Sequence, residues 1–412
     1  MTRALRTAAL AATALVSLAP AAAMAQTFSQ SGHVEAWLTL YPRQAPNDDT
    51  QAVLKPRARW DPAVKWTNWR IDASFEARTD THEMTSATAA FWDRTSKRPA
   101  FAVRRLSASW ARGPVTLEFG KQVVRWGKTD IVIPTERFAP KDYLEVVTTE
   151  PLAVTAARMT IGNQRDSIEV VFTPRMTPAR IPLFDQRWFV PPDEAQGFTV
   201  QDAGASFPTG VQSGARWNHL GRRLEYSLSV FYGYNYLPQF QSTVVPAEAR
   251  IDVRREYPQL TSVGGDAAVP LEWVTIKGEV AWLGSSTAGA EEYVLYVLQI
   301  ERQVGEWLFI GGYAGDHVTE AGSVPRFAPD QGLARAIVGR ASYTIDTNRS
   351  VTFEGVVRQD GDGGLARIEY SQAMGQHVRL TGDVRIIRGE PTDFLGQYRL
   401  NSSASLILRY SF

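Results

Sequence analysis

Arg399-Leu400-Asn401-Ser402-Ser403-Ala404-Ser405-Leu406-Ile407-Leu408-Arg409-Tyr410-Ser411-Phe412 alternates with a period of two, and this alternation decides the fold. Leu400, Ala404, Leu406, Leu408, Tyr410 and Phe412 fall on one face, and Arg399, Asn401, Ser403, Ser405, Arg409 and Ser411 on the other. That is strand geometry. The preceding stretch sets Val378, Leu380, Gly382, Val384 and Ile386 against Arg379, Thr381, Asp383 and Arg385. Apolar out and ionic in suits a wall between lipid and water, but a soluble sandwich alternates too.

The lengths of the links separate the two. From Phe28 to Phe412 the same unit recurs, an alternating stretch of about 10 to 14 residues, the span of a tilted membrane strand with short extensions. Short links are expected at Asp61-Pro62, Arg112-Gly113-Pro114, Asn163 to Asp166, His219 to Arg222, Val269-Pro270, Val304-Gly305, Asp346 to Arg349 and Gly375-Gln376. Longer links fall between them, near 41–51, 79–99, 127–151, 174–206, 237–258, 284–291, 317–331, 359–364 and 388–397. Short inner turns and long outer loops are the habit of membrane barrels. The expected fold is all-β, a transmembrane antiparallel up-and-down β-barrel of about 18 strands over residues 26–412. Stretches 51–60, 259–268 and 333–343 alternate poorly, so about 16 strands is the alternative.

Residues 1–25 carry Arg3 and Arg6, an apolar run from Ala8 to Ala23 and the small-residue site Ala23-Met24-Ala25, the pattern of a cleaved signal peptide. No later segment approaches the roughly 20 apolar residues of a membrane helix; Val269 to Leu283 is interrupted by Glu272, Lys277 and Glu279. Bases and acids number 44 and 43, so bulk charge points to no partner and gives no sign of nucleic-acid binding. Cysteine is absent, which excludes a disulfide framework, a thiol nucleophile and a thiolate metal site. Trp60, Trp66, Trp110, Trp217, Trp273 and Trp307 lie near the proposed short turns, as an interfacial girdle requires.

The ending Leu406 to Phe412, with a terminal Phe and Tyr410 two places before it, resembles the sorting signal of Gram-negative outer-membrane barrels. The resemblance implies an outer-membrane location, with membrane lipid, lipopolysaccharide and the barrel assembly machinery as partners. Gly120-Lys121-Gln122-Val123-Val124-Arg125-Trp126-Gly127-Lys128-Thr129-Asp130, continuing through Pro134-Thr135 to Pro140-Lys141-Asp142-Tyr143, resembles a segment of porin-like barrels loosely related to alginate-export channels. It implies a channel without naming a solute.

Residues 127–151 hold Pro134, Pro140 and Pro151 and cannot join a sheet. By resemblance to porins, whose third external loop narrows the pore, Lys128, Asp130, Glu136, Arg137, Lys141 and Asp142 would face solute. An outer cap that never enters the pore is the equal alternative. In the last four strands the inward face is expected to carry Glu354, Arg358, Arg367, Glu369, Arg379, Asp383, Arg385, Arg399 and Arg409. Such a row would attract anions. The competing reading pairs these arginines with the neighbouring carboxylates.

Phe184, Trp188 and Phe189 in one long loop and Arg250, Arg254 and Arg255 in another suit glycans, or simply pack over one another. His33, His82, His219, His317 and His377 form no metal-ligand spacing, and neither Gly-x-Ser-x-Gly nor a phosphate-binding loop occurs, so no catalytic residue, metal or cofactor is expected. The leading expectation is a porin-like channel for diffusion or export of small hydrophilic, possibly anionic, solutes. The alternative is a non-conducting surface-binding or structural barrel that recognises glycans through its external loops. Oligomeric state is left open by the sequence.

Overall fold

The structure, a computed structural model, describes residues 26–130, 132–192, 195, 197–359 and 363–412. The expected signal peptide, residues 1–25, lies outside the described residues. Eighteen antiparallel strands form one closed barrel. The first nine are β1 Gln26–Leu40, β2 Ala52–Trp66, β3 Trp69–Arg78, β4 Arg98–Arg112, β5 Val115–Gln122, β6 Val154–Gly162, β7 Asp166–Thr173, β8 Gln212–Leu220 and β9 Glu225–Tyr234. The rest are β10 Gln259–Pro270, β11 Thr275–Gly284, β12 Glu292–Val304, β13 Trp307–Glu320, β14 Ala336–Asp346, β15 Arg349–Arg358, β16 Gly364–Met374, β17 Val378–Arg388 and β18 Ser403–Ser411.

Each strand pairs with its predecessor, and β18 returns to β1 in the register His33↔Ser411 to Leu40↔Ala404. Backbone bonds of 3.0 Å in both directions between Gly32 and Phe412 extend that seam. A Cβ on Gly32 would sit 2.6 Å from the Phe412 ring, so glycine is what lets the last aromatic residue close the sheet.

The outer face is apolar. Leu228, Leu298, Ile337 and Leu406 are each more than half exposed, a belt that would be a liability in water and is lipid contact here. Among the described residues no helix is long and apolar enough to cross a membrane. The three weakly alternating stretches are strands β2, β10 and β14, which settles 18 over 16.

Asp61-Pro62 is not a turn. β2 runs through it, and the first short link is Thr67-Asn68. The β2–β3 ladder lapses between Trp60↔Phe75 and Ala63↔Asp72, while Pro62 still sits opposite Gln30 on β1. Proline is tolerated where no donor is needed. Trp60 therefore lies mid-strand, stacked on Phe75 at 5.8 Å, and leaves the girdle. Trp69 opposite Trp110, Trp217 against Tyr226, and Trp307 against Tyr343 hold that position instead.

Arg399 is also displaced. β18 starts at Ser403, and Arg399 belongs to a 3₁₀ turn, Gly396–Asn401, whose Asn401 is drawn inward by the buried Arg187. The Arg399 guanidinium turns back to the Gly396 carbonyl, outside the β18 wall.

An arginine at Val384, outward-facing and mid-strand in β17, is expected to cost about 2–4 kcal/mol in urea unfolding from lipid vesicles. The inward neighbour Thr381→Arg should cost markedly less. Equal costs would contradict the inside-outside assignment.

Candidate functional site: the lumen and its crossing segment

The inner wall has two unlike arcs. On β11, Glu279, Ala281 and Leu283 are buried while Val280 and Trp282 are exposed outward. On β12, Tyr293, Leu295, Val297 and Gln299 are buried while Tyr296, Leu298 and Ile300 face out. This arc is thus apolar on both faces over much of its height. Something must cover it on the inside.

The cover is the long segment after β5. Val124, Trp126, Val132 and Phe138 form one buried cluster with Val154, Val171, Phe231, Ala281, Leu283, Leu295 and Val297. Trp126 meets Phe138 at 5.1 Å, Phe138 meets Phe231 at 5.0 Å, and the Trp126 indole donates to Glu169 at 2.5 Å. Lys128 pairs with Glu225 at 2.7 Å, and Lys277 with Asp130 at 3.2 Å. The segment lies inside the barrel.

After Pro140 the same segment meets the other arc. Asp142 accepts two bonds of 2.9 Å from Arg98 and one of 3.1 Å from Arg180. Arg180 also holds Asp93 at 2.7 Å, and Lys121 holds Asp93 at 2.6 Å. Glu145 takes Lys55 at 2.7 Å, and Glu150 takes Arg57 at 2.5 Å. Arg385 of β17 donates to Thr148. One connection therefore reaches from β11 and β12 to β2, β4 and β17.

Burial opposes ionisation of Glu145, but Lys55 and Arg98 outweigh it and hold the carboxyl down at about 2. Burial likewise opposes ionisation of Asp142, and Arg98 and Arg180 hold it well below the usual carboxylate range. Glu136 is pushed the other way, upward, by burial.

Glu136, Arg137 and Asp142 are only 4, 4 and 3% exposed, so they do not face solute as expected. Arg137 lies over Tyr236 at 5.4 Å and 3.8 Å from Asp330, and Asp142 is consumed by Arg98 and Arg180. Lys128, Asp130 and Lys141 keep partial exposure. Glu145, Thr148 and Glu150, later in the same segment, are the groups that border the recess with Glu35, Lys55, Arg57, Arg78 and Arg98.

Most of the expected wall arginines are paired. Arg367 reaches Glu354 at 2.9 Å and also Glu369 and Asp383. Arg385 holds Asp383 at 2.8 Å, Arg358 holds Asp393 at 2.8 Å, and Arg409 holds Glu35 at 2.6 Å. Arg379 is exposed, and its guanidinium donates to the Ser371 hydroxyl at 3.0 Å.

The sequence reading passed over β2 to β4. There Arg57, Arg59, Arg78 and Arg104, with Arg409 from β18, surround just Glu35, Glu76 and Glu150. A bulge in β4 opposite Ser74 and Phe75 turns both Arg104 and Arg105 inward, Arg104 toward Glu150 at 3.4 Å and Arg105 toward Glu118 at 3.0 Å. The run Lys55, Arg57, Arg59 at a spacing of two was the available signal.

The long loops suspected of binding glycans are largely consumed in packing. Trp188 is 3% exposed, clustered with Leu144, Leu395 and Tyr398, and Arg255 is buried against Asp202.

No protein-family model matches the chain, and no curated protein matches it. Solved structures do. A BenF-like porin from Pseudomonas fluorescens Pf-5 aligns over 93% of this chain and 98% of its own at a TM-score of 0.57 and 8% identity. Pseudomonas aeruginosa OccK5 (OpdH) aligns over 93% and 98% at 0.56 and 9% identity, and Acinetobacter baumannii OccAB3 over 94% and 99% at 0.56 and 9% identity. At such identity the likeness is one of fold: an 18-stranded barrel of the outer-membrane porin type.

The depressed Glu145 carboxyl has a pH consequence. A folded value below the ordinary one stabilises docking fully above about pH 4 to 5, and the contribution is lost as pH falls toward about 2. A nitroxide on Thr149→Cys, in a chain otherwise free of cysteine, should stay immobile from pH 7 to 5 and gain mobility only below about pH 3. Mobility that rises by pH 5, or never rises, would show that Glu145 does not hold the segment.

Proposed function

We propose that the protein is an outer-membrane channel for passive movement of small hydrophilic solutes, with a preference for anionic ones. The supporting observation is the set of five arginines, Arg57, Arg59, Arg78, Arg104 and Arg409, that share three carboxylates, Glu35, Glu76 and Glu150, beside the crossing segment. Guanidinium groups keep their charge at any working pH. A local excess of fixed positive charge in a narrowed, partly dehydrated passage favours anions over cations.

In this reading the segment from Gly127 to Pro151 sets the aperture, with Thr148 and Glu150 as its solute-facing edge and the buried Glu145 behind them. Arg379, exposed on the inner face, extends the positive path. Lipopolysaccharide around the long-loop end, and an assembly machinery that reads β18, belong to the same reading. So does removal of residues 1–25 on export. The local resemblance of residues 120–143 to porin-like barrels is compatible with a channel and names neither solute nor direction.

Purified protein in planar bilayers is expected to give stable conductance steps with a reversal potential on the anion side. Neutralising the excess with Arg59→Gln and Arg104→Gln should bring the permeability ratio of anion to cation toward one. Absence of conductance at either polarity would rule out the channel. An unchanged reversal potential would rule out this cluster as its filter.

A further inference from the structure

Glu279 stands mid-strand on β11 with its carboxylate pointing inward and 3% of the residue exposed. Among the described residues no Lys, Arg or His pairs with it. Its charge is answered instead by neutral donors, all from one short piece of the crossing segment. One oxygen accepts from the Lys128 amide at 3.1 Å and the Thr129 amide at 3.3 Å, and lies 2.9 Å from the Thr129 hydroxyl, whose one proton is shared with the Val132 carbonyl at 2.7 Å. The other accepts from the Thr135 amide at 2.9 Å and the Thr135 hydroxyl at 2.8 Å. Gly127 adopts a φ of +95°, and a Cβ there would lie 2.7 Å from both carboxylate oxygens. The backbone is therefore bent around this carboxylate at a position only glycine suits.

We infer that Glu279 is the positioning residue of the crossing segment: a wall carboxylate seated in a nest of donors from Lys128, Thr129 and Thr135, which fixes where that segment lies across the lumen. The inference rests on the reading that the segment sets the aperture. The physical logic is that of an anion receptor whose anion is built into the barrel. Charge-assisted bonds exceed neutral ones, and with Glu279 removed the three amides and the Thr135 hydroxyl lose their acceptor together. The companion contact supplies register rather than charge: the Asp130 amide donates to Gln299 at 2.9 Å, and the Gln299 amide returns a bond to Asp130 at 2.6 Å. Lys128 spends its own charge on Glu225, so it does not compete for Glu279.

The test reads the segment directly and conduction separately. In folded protein in detergent, trypsin should cut at Lys128 about tenfold or more faster in Glu279→Ala than in the wild type. Acetate, but not chloride at equal ionic strength, should restore protection by entering the emptied nest. Because Glu279→Ala could fail to assemble, Thr129→Val with Thr135→Val removes two donors without touching the wall, and should also speed cleavage. Wild-type protection in both variants would overturn the inference, as would cleavage that acetate leaves unchanged. If cleavage rises and acetate reverses it while single-channel conductance is unaltered, the anchor stands and the aperture reading falls.

Discussion

Inside a hydrocarbon layer an unpaired strand edge has no solvent to bond, so everything in this molecule depends on β18 finding β1. The seam from Leu40↔Ala404 to His33↔Ser411, extended by the two bonds between Gly32 and Phe412, removes the last edge. Closure then divides every strand's side chains between lipid and an enclosed space. The outer half has a single solution, an apolar belt. The inner half has two, because a side chain facing a lumen must be solvated or covered.

Both solutions occur in one barrel, and the contrast between them places the crossing segment. The arc around β11 and β12 is apolar inside and is covered by Val124, Trp126, Val132 and Phe138. The arc from β15 through β18 to β4 is ionic, and the same segment meets it with Asp142, Glu145 and Glu150. Buried ion pairs contribute little net stability compared with apolar packing, yet breaking one strands a charge. The cluster of Lys121, Asp93, Arg180, Asp142 and Arg98 thus acts mainly by making other placements of the segment costly. The outcome is an inner wall whose apolar arc is covered while the arginines of its basic arc keep partial exposure.

Some of this was legible in residues and some was not. Alternation and link length exposed the barrel and all but two of the short turns, Val269-Pro270 also falling within β10 with the turn at 271–274, because both are local consequences of a tilted strand. Asp61-Pro62 misled because a proline looks like a break, and only the lapse in the β2–β3 ladder shows that its missing donor is never needed. Arg399 misled because alternation continues past the point where Arg187 pulls Asn401 out of the strand. Tyr293 to Leu298 has six apolar residues in succession, a sign of two covered faces that can be read once a lumen is assumed.

By itself the sequence determined that the chain is a closed membrane barrel with alternating short and long links, since period and punctuation are properties of neighbouring residues. Only the tertiary structure decided that the described residues of the segment 127–151 lie inside, that Glu136, Arg137 and Asp142 are buried, and that Arg57, Arg59, Arg78, Arg104 and Arg409 converge. Those facts depend on side chains from strands far apart in sequence that closure brings around one space. A charge written at one position does not show whether it will meet water, a partner or a covering loop.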